Sequence, residues 1–230
     1  AGSNKSFSAA GSFGVSDILN DGTINISNSN ATADSFLSNT QSNAHIVNVA
    51  GQASLASKFS GGLTFAYNAM NNTTGINVKG GTWNVKDFGA TANNDNYALA
   101  IGAGVGFSKN TGALNGAIGL NLGNNSTKSI VDGTAINNVE NLKVTATDNT
   151  SKTTIAGDVV ISKDGKVAAG GSVAYADIGT SDNKEVINAK VTNAEISARD
   201  NSTVDVEALD NATMTTVAVG VGGALSGAKV

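Results

Sequence analysis

Four stretches of this chain begin with the same pattern of glycine, small, apolar, small and apolar residues. They start at Gly11, Gly61, Gly116 and Gly171. Counted along the chain, the steps between them are 61−11=50, 116−61=55 and 171−116=55. A repeat of this length with strand-like content is typical of a solenoid, in which each unit buries its apolar face against its neighbours. We therefore expect residues 1–230 to form one solenoid segment, as a piece of a longer repeat protein.

The composition indicates an ordered β protein. Charged residues make up 14% of the chain and hydrophobic residues 40%, with 28 glycines and no proline. Proline cannot donate to a strand ladder, so its absence indicates continuous backbone pairing. A net charge of only −4 together with this hydrophobic content disfavours disorder. Because the chain has no cysteine, it can form neither disulfides nor thiolate metal sites.

Large apolar residues alternate with small ones at period two within the repeats, which is the pattern of strands. We expect the large residues to face the interior, with Leu120 inside and Asn121 outside. One predicted interior row joins equivalent positions of the four repeats: Phe13, Leu63, Ile118 and Val173. Because hairpin signals are few, we expect an all-β parallel β-helix (β-solenoid) of imperfect repeats of about 55 residues. We expect roughly two coils per repeat, and for the whole segment about ten coils and a rod of roughly 50 Å.

The corners of these coils have a recurring form, Ala-x-Asp-Asn. It occurs at 146–149, 198–201 and 208–211, with a looser copy at Asp95-Asn96. Asp and Asn tolerate left-handed backbone and bond to their own main chain, so they favour turns. Stacked asparagines would form amide ladders between coils. Residues 52–59 are compatible with a short helical turn, and residues 1–60 follow the repeat less well.

Few side chains offer chemistry. His45 is the only histidine and Arg199 the only arginine, so neither a histidine-based triad nor a two-histidine metal site can be built. The carboxylates are dispersed, whereas a polysaccharide-active β-helix enzyme needs them clustered beside basic groups. We expect no enzyme activity, no catalytic residue, no cofactor and no metal. The string Gly102, Gly104 and Gly106 favours close approach of strands over dinucleotide binding, since no helix follows.

One segment departs from this pattern. Trp83, the only tryptophan, lies near Asp87 and Tyr97 in the sequence, and aromatic residues beside carboxylates are typical of protein or sugar contacts. We therefore identify Trp83, Asp87 and Tyr97 as a possible ligand contact. The alternative is that Trp83 occupies the same stacked row as Ile136 (136−83=53) and belongs to the core, which the usual burial of large aromatics favours.

The charge pattern limits the partners. Without a cluster of Lys or Arg, nucleic acid is not an expected partner. No apolar run approaches the ~18 residues that indicate a transmembrane helix, so no transmembrane segment is expected. A fragment of a solenoid with no pocket-forming insertion is expected to be monomeric and to bind through a broad, weakly charged flank.

The sequence resembles the repeats of large secreted exoproteins of Gram-negative bacteria. The resemblance lies in Gly-Ser-Val-Ala-Tyr-Ala at 171–176, Asn-Ala-x-Val-Thr-Asn-Ala at 188–194 and the Ala-x-Asp-Asn corners. It is similar to the leukotoxin-like filamentous adhesins and, more distantly, to filamentous haemagglutinin.

This resemblance implies a right-handed β-helix and type V, two-partner secretion through an outer-membrane transporter. It also implies a secreted or cell-surface location and a role in host-cell attachment or damage as a virulence factor, adhesin or toxin. The partner would then be a host-cell surface protein or glycan. A polysaccharide-active β-helix enzyme and a trimeric autotransporter head or stalk are the alternatives.

Overall fold

The chain forms a parallel β-helix of four coils. The computed structural model describes residues 6–164, 167–179 and 184–225. Every regular element within these ranges is a strand, and all strand pairs are parallel. Coil 1 consists of β1 (Phe7–Thr32), β2 (Ser35–Ser42) and β3 (His45–Ala56), and coil 2 of β4 (Phe59–Asn84), β5 (Asp87–Asn94) and β6 (Tyr97–Ser108). Coil 3 consists of β7 (Gly112–Leu122), β8 (Asn125–Asp132), β9 (Ala135–Asp148) and β10 (Ser151–Ser162). Coil 4 consists of β11 (Val167–Ala176), β12 (Val186–Thr192), β13 (Glu195–Asp210) and β14 (Thr213–Ala224).

One sequence repeat makes one coil. Phe7 pairs with Phe59, Phe59 with Gly112 and Gly112 with Val167, so the coil lengths along the chain are 59−7=52, 112−59=53 and 167−112=55. On the opposite side, Ser151 pairs with Thr213, a step of 213−151=62. The expectation of two coils per repeat and about ten coils is therefore wrong. The strands are much longer than the sequence indicated, because no proline or strong hairpin turn interrupts them.

The long side of each coil turns at one stacked row of left-handed residues. Asn28, Gly80, Gly133 and Asn193 occupy this row and have φ of 50°, 66°, 63° and 48°. Asn and Gly are the residues that adopt this conformation at least cost. The row explains why the glycine-rich and asparagine-rich composition is compatible with a regular fold.

The Asp-Asn corner motif is confirmed at three of its four sites. Residues 95–96, 149–150 and 211–212 connect successive strands, and the amide N–H of Asn211 donates to the carbonyl O of Asp148 on the coil below at 2.8 Å. The Asn211 side chain also donates to Asn149 at 3.0 Å, which confirms an amide ladder. The copy at 198–201 does not connect two strands but lies inside β13 at a register shift, where Asn201 has the left-handed conformation (φ 63°) that the motif predicts. Residues 52–56 are strand, so the short helical turn is also wrong.

The prediction of which side chains face inward is wrong for half of the coil. Phe13 is 72% exposed and Val173 56% exposed, and Phe13 stacks on Phe65 rather than on Leu63. The small residues that alternate with these large ones along the strands, such as Ala66 and Ala117, are fully buried. Asn121 is fully buried as well, whereas Leu120 lies on the outer surface and is only half-buried.

The interior is divided into two lobes. In the small-residue lobe, the first half of β1 and β4, together with β7 and β11, packs against β3, β6, β10 and β14, with Ala, Gly, Ser, Thr and Asn between the sheets. In the aliphatic lobe, the second half of the long side faces β5 and β9 across a conventional core. The buried side chains of that core are Ile76, Val78, Trp83, Val85, Phe88, Ala90, Val131, Ile136, Val139, Leu142 and Val144.

The described part of the chain contains no helix that could cross a bilayer.

Candidate binding surfaces

The segment around Trp83 does not form one surface. Trp83 is 4% exposed and pairs in register with Ile136, so the interpretation of Trp83 as a core residue is confirmed. Its ring lies 4.3 Å from that of Phe36 and 6.0 Å from that of Phe88. Trp83 is thus the aromatic centre of the aliphatic lobe, and a ligand could reach it only by displacing the core.

Asp87 and Tyr97 lie at two different places on the outer surface. Asp87 begins β5 and accepts a hydrogen bond from the Asn141 side chain at 2.7 Å, as a rung between coils. Tyr97 begins β6 on the other sheet, and its ring lies 6.1 Å from that of His45 in a tilted arrangement. The three residues proposed as a ligand contact are therefore not brought together.

The aliphatic lobe carries most of the charge. Arg199 pairs with Glu140 at 2.7 Å, and Lys86 pairs with Asp34 at 2.9 Å. The hydrogen bond and charge of Lys86 lower the pKa of Asp34, and those of Asp34 raise the pKa of Lys86. Because both pairs are exposed to solvent, they contribute little to stability. The position of these pairs is informative, because the outer faces of the small-residue lobe carry almost no charge.

The small-residue lobe has an apolar outer surface on its long side, which we call the long-strand face. It consists of the outward positions of 7–19, 59–71, 112–122 and 167–175, and Asp17 is its only charged residue. Its aromatic side chains pack against one another from coil to coil. The rings of Phe7 and Phe59 lie 5.7 Å apart, and those of Phe13 and Phe65 lie 5.9 Å apart.

The opposite surface of the same lobe, the short-strand face, is also apolar. It consists of the outward positions of β3, β6, β10 and β14, six on each strand, and none of them is Asp, Glu, Lys or Arg. One of its rows joins Val49, Ile101, Ile155 and Val217. Hydroxyl and aromatic residues border it at the start of the strands, where Tyr97 pairs with Ser151.

Glycine lets the two sheets of this lobe approach closely. Gly102, Gly104 and Gly106 face inward, and a Cβ on Gly102 would lie 3.0 Å from the carbonyl O of Ile118 on the facing strand. The interpretation of this glycine string as a site of close approach is confirmed. A larger side chain here would push the two sheets apart.

Buried amides join the two sheets. The Asn121 side chain donates to the carbonyl oxygens of Ala98 at 3.1 Å and Thr153 at 2.6 Å, and it accepts from Asn68 at 2.8 Å. Asn68 in turn donates to the carbonyl O of Leu99 at 2.9 Å. Because these bonds cross between the sheets, they hold the lobe as one rigid plate with two apolar outer faces.

An ionisable cluster lies at the junction of the lobes. Lys152 is 1% exposed, and its Nζ donates to the carbonyl oxygens of Gly123 at 3.2 Å and Asp177 at 2.7 Å. Burial lowers the pKa of Lys152 to about 8, against the opposing effect of Glu185 and other carboxylates. Burial and the carboxylate of Asp148 raise the pKa of Glu185 to about 8. These groups make folding sensitive to pH.

His45 lies on the outer surface at the border of the short-strand face. One of its ring nitrogens hydrogen-bonds with the Asn43 side chain at 2.8 Å, and the residue is exposed. Within the described ranges, no group of three or more His, Asp or Glu lies close enough to hold a metal ion.

The sequence interpretation missed both faces, although a signal for them exists. The alternation of large and small residues predicts the strands, but the expectation that the large set faces the interior is wrong in this lobe. The informative signal is the inward set, in which Gly102, Gly104 and Gly106 alternate with larger residues. A row of glycines at period two can only lie where another backbone approaches closely, so it marks the inner side of the strand.

Comparison with protein-family models, with curated proteins and with solved structures finds no match.

Proposed function

We propose that this chain is a structural and binding segment of a secreted or surface-exposed bacterial exoprotein of the adhesin or leukotoxin type. The observation that carries this proposal is the short-strand face, a flat apolar surface without Asp, Glu, Lys or Arg on four stacked strands. A rigid plate with such a face is suited to attachment over a broad area. The resemblance of the repeats to leukotoxin-like adhesins supports the same function.

The arrangement of this face fits that of a binding surface. Val49 and Val47 are 64% and 63% exposed in the first coil, and Val219 and Val221 are 52% and 53% exposed in the fourth. Binding interfaces combine an apolar centre with a polar border, and the hydroxyls and the Tyr97 ring at the strand starts provide that border. The ligand class that fits is a host-cell surface protein, or a glycan that presents an apolar sugar face to the aromatic border.

Export and location follow from the resemblance alone. A chain without cysteine can cross an oxidising compartment unfolded without forming premature disulfides. We propose passage through an outer-membrane transporter of the two-partner type, with folding at the cell surface. The enzyme alternative has less support, because the carboxylates of Asp148 and Glu185 meet beside Lys152 at the junction of the lobes, where Asp148 and Lys152 are buried, and not on either face.

The test is attachment of host cells to beads that carry the chain at high surface density. Val49→Asp places one carboxylate on the short-strand face, and we expect it to reduce attachment at least several-fold. Val15→Asp is the matched control, because Val15 is 67% exposed on the other face of the same coil. Val49→Asp should keep the wild-type melting temperature, since its side chain is on the surface.

Equal attachment by wild type and Val49→Asp would contradict the proposal. Equal loss in both variants would show that the short-strand face is not the binding surface. Release of reducing sugar from acidic polysaccharides by the wild-type chain would favour the enzyme alternative.

A further inference from the structure

The long-strand face is an unpartnered apolar surface large enough for an interface. Phe7, Phe13 and Tyr175 are 61%, 72% and 50% exposed. Because aromatic side chains offer about 150–250 Å² each, these three alone leave about 300–450 Å² of apolar area in contact with water. Leu, Val and Ile residues of the same face add to this area. The face thus exceeds the apolar patches that monomers usually expose and approaches the ~800 Å² per partner of a standard interface.

The total accessible surface area of the chain also indicates uncovered apolar surface. The accessible surface is 11139 Å². A compact monomer of this mass, 22.8 kDa, would expose about 9,600 Å². The excess comes from a flat body whose two faces do not cover one another, and from the open ends of the solenoid, where coil 4 is exposed at most positions. Pairing of two copies through one face would remove part of this area.

The shape of the long-strand face is complementary to itself. Its large residues form a ridge of two neighbouring rows that include Phe13 and Phe65 in one row and Val15 and Tyr67 in the next. Beside this ridge lies a trough of two rows that include Gly11 and Gly116 in one row and Ala9 and Gly61 in the next; Leu63 and Leu114 interrupt the trough. Ridge and trough both run along the solenoid axis.

We propose that two copies of this chain pair through the long-strand face about a twofold axis parallel to the solenoid axis. An axis that passes between the Gly11 row and the Phe13 row places the ridge of each copy over the trough of the other. Such an axis preserves coil order, so coil 1 of one copy lies beside coil 1 of the other. Symmetric pairing of one patch with itself is the commonest form of protein association.

The chemistry of the face favours a second copy over other occupants. A face whose only charge is Asp17 provides no recognition of a charged partner, and a second copy supplies an equally neutral surface. Lipid is a poorer occupant, because β1 and β11 each pair on one side only and leave backbone groups unpaired at the open edges. Hydrocarbon cannot satisfy such groups. Self-association goes beyond the proposed attachment, which uses the opposite face, and it replaces the expectation of a monomeric fragment.

Sedimentation of the whole chain over a range of concentrations tests the proposal. We expect a dimer that dissociates on dilution. Val15→Asp should raise the dissociation constant at least tenfold, because it places a carboxylate in the ridge on each copy. Val49→Asp, with nearly the same exposure on the opposite face, should sediment as the wild type does. Val15→Asp should thus weaken association but not attachment, and Val49→Asp should weaken attachment but not association. Either proposal can therefore fail without the other.

The orientation is tested by single cysteines, since the chain has none of its own. Gly11 and Gly171 lie in the trough in the first and fourth coils, and the Cβ positions of both are open. Because coil order is preserved, a short thiol cross-linker should join two copies of Gly11→Cys and also two copies of Gly171→Cys.

Three outcomes would overturn the proposal. The first is a chain that stays monomeric at the highest concentration. The second is a dimer that Val15→Asp leaves intact, which is the result expected if copies associate by stacking their coils end to end. The third is co-flotation of monomeric wild type, but not of Val15→Asp, with neutral phosphatidylcholine vesicles, which would assign the face to lipid.

Discussion

The residue that best reports the organisation of the coil is Asn121. It is fully buried between two sheets and makes three hydrogen bonds through its side chain, whereas the adjacent Leu120 faces out. A polar residue inside beside a leucine outside is the reverse of the usual arrangement. It is stable here because the buried amide group finds its hydrogen-bond partners within the protein.

Asn121→Ala should therefore be strongly destabilising. The substitution removes the donor to the carbonyl oxygens of Ala98 and Thr153 and one acceptor of the Asn68 amide, at a cost of about 2–4 kcal/mol in the free energy of unfolding. Leu120→Thr should cost less than ~1 kcal/mol, because it changes a surface position on a strand. Both are measured by denaturant unfolding in the Val15→Asp background, so that association does not contribute. Equal losses would mean that the two side chains are not on opposite sides of the sheet.

Lys152 and Glu185 give the free energy of unfolding a minimum near pH 8. Glu185 has a pKa of about 8 in the folded chain and 4.5 in the unfolded chain, so the folded chain binds more protons and stability falls as pH rises from 4.5 to 8. Lys152 has a pKa of about 8 folded and 10.5 unfolded, so the unfolded chain binds more protons and stability rises from pH 8 to 10.5.

Two substitutions separate these effects. Lys152→Met, which introduces the residue that Met214 provides in the same row of coil 4, should remove the rise above pH 8 and keep the fall below it. Glu185→Gln should remove most of the fall and keep the rise. Melting temperatures recorded across pH 5–10 relative to the wild type measure both. If wild type and Lys152→Met have the same pH profile, folding does not lower the pKa of Lys152, and the prediction is wrong.

At the scale of the elements, the sequence predicts strands and corners well. Period-two alternation and the Asp-Asn pairs identify the strands and the corners at 95–96, 149–150 and 211–212. The repeat spacing (136−83=53) also placed Trp83 in the row of Ile136. What the sequence leaves open is which side of a strand faces inward, because period two gives the alternation but not its sign. That sign depends on contacts between sheets, such as Gly102 against the backbone of Ile118.

The left-handed corner row gives a prediction at this scale. Gly133 has a φ of 63°, and the atom nearest to a Cβ there, the backbone N of Gly80, would lie 4.0 Å away, so space does not limit substitution. Gly133→Asn should change the free energy of unfolding by less than ~0.5 kcal/mol, because Asn28 and Asn193 already occupy the same row. Gly133→Val should cost about 1–2 kcal/mol from backbone strain alone. If both variants unfold at the same denaturant concentration, the corner is not left-handed.

At the scale of the whole molecule, the two lobes have opposite character. The aliphatic lobe has its apolar residues inside and its charges outside, whereas the small-residue lobe has polar and small residues inside and apolar residues outside. One chain therefore combines a conventionally folded half with a half whose surfaces are suited to contact with other molecules. The low charge content of 14% reflects this division, because charges are nearly excluded from two large faces.

The shape of the molecule follows from the coil length. Four coils at ~4.8 Å extend only about 20 Å along the solenoid axis, whereas the part of β1 before its corner at Asn28 extends about 70 Å at ~3.3 Å per residue. The longest dimension therefore lies along the strands and not along the axis. X-ray scattering from the monomeric Val15→Asp variant should give a radius of gyration above ~20 Å, compared with about 17 Å for a compact domain of this length. It should also give a maximum dimension of about 70–80 Å. A maximum dimension of only about 50 Å, with the profile of a thin cylinder, would instead support a solenoid of many short coils, and the assignment of both faces would have to be abandoned.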